Sequence, residues 1–244
     1  DIHGTNLETV TSDLSNPVEV HVLYNSTDQK LRGNKLTTGG SWSTLTNLNT
    51  ARDQVAGAGS TTSALVFGEN FGGETELWNG SSWTEKNDLN TPRRALAGAG
   101  ASGTAALAFG GNLASPSPNA ATDVTENFNG TSWTEVGDLN QARSFPGGTG
   151  TNTAALCFGG STGAGTNPPI TAENESWNGT SWTELGDLNS PRNSLGDAGT
   201  NTSALAFGGS GPTAATESWN GSAWTEVGDL NTARLAVGGA GASN

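Results

Sequence analysis

A single cysteine, Cys157, excludes an intramolecular disulfide and any metal cluster built from cysteines. Basic residues are also scarce, ten against 23 acidic ones, and the net charge of -13 repels a phosphate backbone. No nucleic-acid partner is therefore expected. No run of eighteen apolar residues occurs, so no membrane insertion is expected. Methionine is absent even at the start, and no secretion signal is readable. The expectation is a chain that has been processed or belongs to a longer product. Hydrophobic residues make up only 32%, but charged residues are few as well, at 14%, which argues against disorder. Eight tryptophans, seven phenylalanines and regularly placed leucines supply a core of few large residues among many small ones.

What the chain has is repetition. Trp177-Asn-Gly-Thr-Ser-Trp182 leads through Leu185 and Asn189 to Arg192, and its second half recurs five times. The copies run from Trp42 to Arg52, Trp83 to Arg94, Trp133 to Arg143, Trp182 to Arg192 and Trp224 to Arg234. A unit of 42 to 49 residues is the mark of a repeat architecture. The third unit reads as four extended segments: Ser144 to Thr151, Ala154 to Phe158, Ala172 to Trp177 and Ser181 to Leu185. Asn152-Thr153 joins the first pair, and Asn178-Gly179, a strong hairpin signal, joins the last. Four antiparallel strands per unit is the blade of a β-propeller. In the second strand of the second unit, Leu107 and Phe109 fall on one face and Ala106 and Ala108 on the other. Large residues of one blade can then settle on small ones of the next. Cys157 takes the slot of Val66, Ala108 and Ala206, so it reads as a small buried filler. First strands such as Ala97 to Ala101 are made of glycine and alanine, which suits strands crowded round an axis.

The expected fold is all-β: a five-bladed β-propeller of four-stranded antiparallel blades, closed by a C-terminal inner strand that joins N-terminal strands. Residues 1–16 form a leader or attachment arm, and 17–244 form one propeller. The blade repeats are about 53–91, 94–141, 143–190, 192–232, and 234–244 plus 17–50. In the fifth blade, Leu235 to Ala242 is the inner strand, with Val18 to Tyr24, Asn34 to Thr38 and Ser41 to Leu45 outside it. Closure of this kind hides sheet edges.

Arginine, a small strand, a hydrophobic strand ending in Gly110-Gly111, Gly159-Gly160 or Gly208-Gly209, then tryptophan and leucine resembles the kelch repeat. The likeness spans roughly residues 18 to 244; the tyrosine usual between the glycines and the tryptophan is missing. Trp177-Asn-Gly-Thr-Ser-Trp182 also resembles repeats of marine bacteriophage tail and virion proteins. The kelch resemblance implies that Arg52, Arg94, Arg143, Arg192 and Arg234 ring the axis on one face, where they could bind a carboxylate or sulfate. The competing reading has each arginine pinning adjacent blades through an Asp such as Asp138 or Asp187, or through backbone carbonyls. Trp42, Trp83, Trp133, Trp182 and Trp224 are expected between blades. Trp78, Trp177 and Trp219, with Phe128 in the matching slot, lie beside the hairpin turn and are the better sugar-stacking candidates.

Loops between second and third strands vary in length, and Gly111 to Thr122 and Gly160 to Thr171 are the long ones. They carry Leu113, Pro116, Pro118, Pro168, Pro169 and Ile170 on what is expected to be the binding face. Asn79, Asn129, Asn178 and Asn220 head Asn-Gly-Ser/Thr sequences that satisfy the N-glycosylation pattern; turn chemistry explains Asn-Gly fully, and modification would additionally require a suitable cell. Gly98 to Gly103 spells a dinucleotide pattern but opens no helix. Catalysis finds little support. A sialidase-like propeller needs a tyrosine nucleophile, and a kelch-type copper oxidase needs Tyr, His and Cys ligands; only Tyr24, His3, His21 and Cys157 exist. Acids such as Glu135 and Glu184 recur in each unit and mark no single site. No enzyme, cofactor or metal is expected. The expected role is an interaction or adhesion module, extracellular or on a virion, with a protein, a cell-surface glycan or other virion proteins as partners. The alternative is a secreted lectin with repeated shallow sites.

Overall fold

The computed structural model describes residues 9–10, 21–25, 30–34, 44–69, 72–113, 120–163 and 169–241. The chain divides into two compact units, Asp1–Leu45 and Thr46–Asn244. In the first, Thr9–Val10 runs parallel to His21–Asn25, which pairs antiparallel with Lys30–Asn34. The strand expected from Val18 to Tyr24 is thus found as His21–Asn25, and two residues of the expected leader join its sheet. The next strand lies earlier than Asn34 to Thr38, at Lys30–Asn34. Residues 35–43, including Trp42, lie outside the described residues; Thr44 and Leu45 are not in a strand.

The second unit contains four four-stranded antiparallel sheets, and no helix occurs among the described residues. Blade 1 is Ala56–Ser60, Ser63–Phe67, Thr75–Trp78 and Trp83–Lys86. Blade 2 is Ala97–Ser102, Ala105–Phe109, Thr125–Phe128 and Trp133–Glu135. Blade 3 is Gly147–Thr151, Ala154–Phe158, Asn174–Trp177 and Trp182–Glu184. Blade 4 is Gly196–Gly199, Ala204–Phe207, Thr216–Trp219 and Trp224–Glu226. In every blade the strands follow one another in chain order, up and down. The outer hairpins form because the Asn side chain closes the turn on itself: Asn178 Oδ1 accepts from the backbone N–H of Thr180 at 2.9 Å and of Ser181 at 3.0 Å. Gly179 follows at φ 95°, a conformation that a side chain disfavours.

Large-on-small packing explains how blades stack. Leu65 and Phe67 of blade 1 lie against Ala106 and Ala108 of blade 2. Leu107 and Phe109 lie against Ala155 and Cys157, and Leu156 and Phe158 against Ala204 and Ala206. Cys157 is a fully buried filler, and burial pushes its thiol up to about 12, so it stays protonated. At the first two seams the phenyl ring reaches a glycine of the next inner strand: a Cβ on Gly98 would stand 2.7 Å from Phe67 Cζ, and one on Gly148 2.6 Å from Phe109 Cζ. Each outer-strand tryptophan wedges the seam from outside. Trp133 packs edge-on to Phe67 at 4.9 Å between ring centroids, Trp182 does the same to Phe109, and Trp224 packs on Phe158 at 4.8 Å.

Five sectors show in the backbone. Gln54, Ala95, Phe145, Ser194 and Ala236, each two residues after Arg52, Arg93, Arg143, Arg192 or Arg234, adopt φ between 51° and 54°. Left-handed backbone is uncommon in non-glycine residues, and five equivalent cases mark one geometric joint. The joints are linked in series: Ala95 N–H donates to Gln54 O, Phe145 to Ala95 O, Ser194 to Phe145 O and Ala236 to Ser194 O, at 2.7 to 3.0 Å. After the fifth joint the chain lies along blade 4, where Gly199 N–H donates to Gly241 O at 2.9 Å. The terminal segment therefore occupies the inner position of a fifth sector, as expected for a five-bladed propeller, although 235–241 carries no regular strand.

One seam is imperfect. Trp133 and Trp182 donate their indole N–H to the hydroxyls of Thr75 and Thr125 at 3.0 Å. At the third seam that threonine is replaced by Asn174, and Trp224 Nε1 and Asn174 Oδ1 are both buried without a partner. Asn174→Thr is expected to raise the unfolding free energy by about 1 kcal/mol, read from the denaturant midpoint at constant slope.

Candidate functional site

The segment entering each blade carries Leu, Asn and Arg in fixed spacing, and a glutamate on the third strand of that blade receives it. Glu126 Oε2 accepts from Asn90 N–H and Nδ2 at 2.8 and 2.9 Å, and Oε1 accepts from Thr91 N–H at 3.2 Å and Arg93 Nη1 at 2.9 Å. Asn90 Nδ2 also reaches Trp133 O, and Arg93 Nη2 reaches Ala108 O, so one segment is tied to three strands. Glu76, Glu175 and Glu217 repeat this with Asn49 and Arg52, Asn140 and Arg143, and Asn189 and Arg192. The ion pairs Arg52–Glu76, Arg93–Glu126, Arg143–Glu175 and Arg192–Glu217 have side chains no more than 3% exposed. Burial lowers the Arg93 pKa, and the Glu126 carboxylate opposes that shift.

This geometry corrects the ligand reading of the arginines. The repeat position in the second unit is Arg93, three residues after Asn90 as Arg143 is after Asn140; Arg94 is displaced by one and pairs its backbone with Asn112. Arg52, Arg93, Arg143 and Arg192 are committed inward and offer no face to a sulfate or acidic peptide. They pin blades, as the competing reading had it, but their carboxylate is the third-strand glutamate. Asp138 instead accepts from Thr125 N–H at 3.0 Å. Arg234 is exposed and has no carboxylate partner among the described residues. The sequence held the signal in the recurring Glu of Thr75-Glu76, Thr125-Glu126, Asn174-Glu175 and Thr216-Glu217, which the regular spacing of outer-strand acids obscured.

The stacking platforms are likewise corrected. Trp78, Trp177 and Trp219 are 6%, 2% and 1% exposed, and Phe128 is fully buried. Each of the three donates its indole N–H to a carbonyl of the inner hairpin turn, Thr61, Asn152 or Asn201, at 3.0 to 3.2 Å. Each also packs on the outer tryptophan of its own blade, Trp83, Trp182 or Trp224. No sugar can stack on rings used in this way.

Two features remain open. One is the face that carries the loops between second and third strands. At blade 2, Leu113 N–H donates to Ala120 O, and at blade 3 Thr162 N–H donates to Pro169 O, so both long loops rise as hairpin stems. Ala121 N–H donates to Gly163 O at 3.2 Å and joins the two stems. Leu113 is half-buried and Ile170 exposed, while Pro116, Pro118 and Pro168 lie outside the described residues. The other feature is a central channel of about 840 Å³, lined by the five inner segments at 55–61, 96–101, 146 and 148–151, 197–200 and 237–241. Asp197 is the one charged residue in that lining, at a position that holds Gly57, Gly98 and Gly148 in the other blades. Protein crowds it even though part of its surface meets the channel, and this desolvation raises its carboxyl to about 7; one N–H, from Gly148 to Oδ2 at 3.2 Å, opposes the rise.

The sequence matches no protein-family profile and no curated protein. Among solved structures it is similar to that titled "Structure of YjhT", with 12% identity, a TM-score of 0.67, and coverage of 78% of this chain and 70% of that one. The likeness shows a propeller-like fold.

Two outcomes are expected. Arg143→Ala leaves Glu175 charged and unpaired, so unfolding free energy should fall by about 3–5 kcal/mol in a denaturant titration, with sulfate affinity unmoved. The folded Asp197 pKa of about 7 lies above its ordinary 3.8, so its contribution is fully present below pH 3.8 and lost as pH rises through 7. Asp197→Asn should therefore gain stability on the parent between those values and hold a constant lead above them, read from paired melting curves.

Proposed function

We propose that this propeller is a non-enzymatic interaction module that presents its long loops to a partner, on an extracellular structure or a virion. The observation that carries the reading is the joined pair of stems at Ala121 and Gly163. They stand on the one face where loop length varies, while the opposite face repeats short turns in every blade. The buried Arg–Glu joints beneath them fix the frame, and a rigid frame lowers the ordering cost of binding. The acidic surface disfavours anionic partners. The virion setting rests on the Trp-Asn-Gly-Thr-Ser-Trp wording, and the partner classes are a protein or a cell-surface glycan.

Replacing 112–121 and 161–170 by the short loop of blade 4 should leave cooperative unfolding close to the parent, because surface-loop length weighs little on stability. Adsorption to a panel of whole bacterial cells and to a glycan array should fall by at least about ten-fold. Adsorption that survives the exchange, or turnover of an arrayed glycan, would overturn the proposal. Glycan-array binding that persists after the loop exchange would point to the lectin instead.

A further inference from the structure

The channel does not belong to the loop face, and its lining breaks the repeat at one residue. Four of its five inner segments are uncharged glycine, alanine, serine, threonine, valine, leucine or proline, and the fifth contributes Asp197. One hydrogen bond holds the Asp197 side chain across the seam between blades 3 and 4, from Gly148 N–H to its Oδ2; a second, from Thr149 Oγ1 to Gly199 O at 2.6 Å, ties the same two strands. Its other oxygen, Oδ1, has no donor among the described residues and is left to the channel. The elements packed on it are 147–151, 154–158, 204–207 and 237–241, and they bring no charged side chain. The Cys157 thiol, which feels the Asp197 charge, is itself neutral. An ionised carboxylate in such a place lacks a counter-ion.

We propose that the central channel binds a small organic cation, a protonated amine, with Asp197 as its counter-ion. A divalent metal is a poor fit, because calcium asks for six to eight oxygens and magnesium for near-octahedral geometry. No group of three metal-ligating side chains occurs among the described residues. An alkylammonium asks for one carboxylate and apolar walls, which Ala58, Ala99 and Val237 supply. The volume of about 840 Å³ is within the range of small-molecule sites. The net charge of -13 also favours the approach of cations to the protein over anions. Ligand and proton compete for the same carboxylate, so occupancy is coupled to pH. The loop-face reading stands or falls separately.

The test is calorimetric titration with butylammonium and with putrescine, both fully protonated between pH 6 and pH 8, as lysine is. Butanol serves as the neutral control. Because Asp197 titrates near 7, affinity should be about ten-fold tighter at pH 8 than at pH 6. Asp197→Gly restores the residue of the other blades and should stay folded, with a cooperative melt; it should lose the binding, as should Asp197→Asn. Carbon-detected titration of the Asp197 carboxyl should show its pKa falling when butylammonium saturates the parent. The proposal is overturned if neither cation binds the parent at pH 8 up to about 10 mM. It is overturned equally if butanol binds as well, or if Asp197→Gly binds as the parent does.

Discussion

The buried third-strand glutamate is the interaction on which the other features depend. A propeller chain leaves each blade at its outer edge and must re-enter at the axis, so one segment crosses the end of every blade. That segment exposes backbone N–H groups that no neighbouring strand can satisfy. Glu126 takes two of them, from Asn90 and Thr91, together with the Asn90 amide and the Arg93 guanidinium. The carboxylate thereby gains enough partners to tolerate burial, and Arg93 cancels its charge. With the crossing segment fixed, the residue two beyond the arginine is forced into left-handed backbone, and the next inner strand starts at a set distance from the axis.

Once blades are set at that spacing, the packing between them follows from residue size. A fully buried phenylalanine fits only where the facing strand offers alanine, cysteine or glycine, and the outer tryptophan fills the space left as blades splay outward. The alternation of Leu107 and Phe109 with Ala106 and Ala108 is therefore a property of the ring as much as of the strand. The same geometry keeps Trp78, Trp177 and Trp219 inside. Their indole N–H groups point at the inner hairpin carbonyls, which would otherwise be short of donors.

The periodicity, the four strands per unit and the large-on-small faces were legible in the sequence because each repeats at constant spacing. The bounds of blade 3 were read within three residues for the same reason. Burial of Trp177 was not legible, since an aromatic beside an Asn-Gly turn looks exposed until the neighbouring tryptophan is seen to cover it. The Arg–Glu pairing was hidden by distance: Arg93 and Glu126 are separated by a blade's inner hairpin and a loop of variable length. The choice between Arg93 and Arg94 was legible from Asn90, but only once the asparagine was known to share the same carboxylate.

Everything that repeats in this chain serves the frame, so chemistry specific to a partner must come from what does not repeat. Three departures gather around blades 2 to 4. Long stems rise from blades 2 and 3, Asn174 replaces a threonine at the third seam, and Asp197 replaces a glycine at the axis. None is needed to build a blade, since the equivalent positions in the other blades manage without them. Asp197 is the most informative of the three, because a carboxylate crowded by protein weakens the fold at neutral pH unless something compensates it. A frame this regular could have kept glycine there without altering its geometry. The carboxylate is therefore better accounted for by what enters the channel than by what surrounds it.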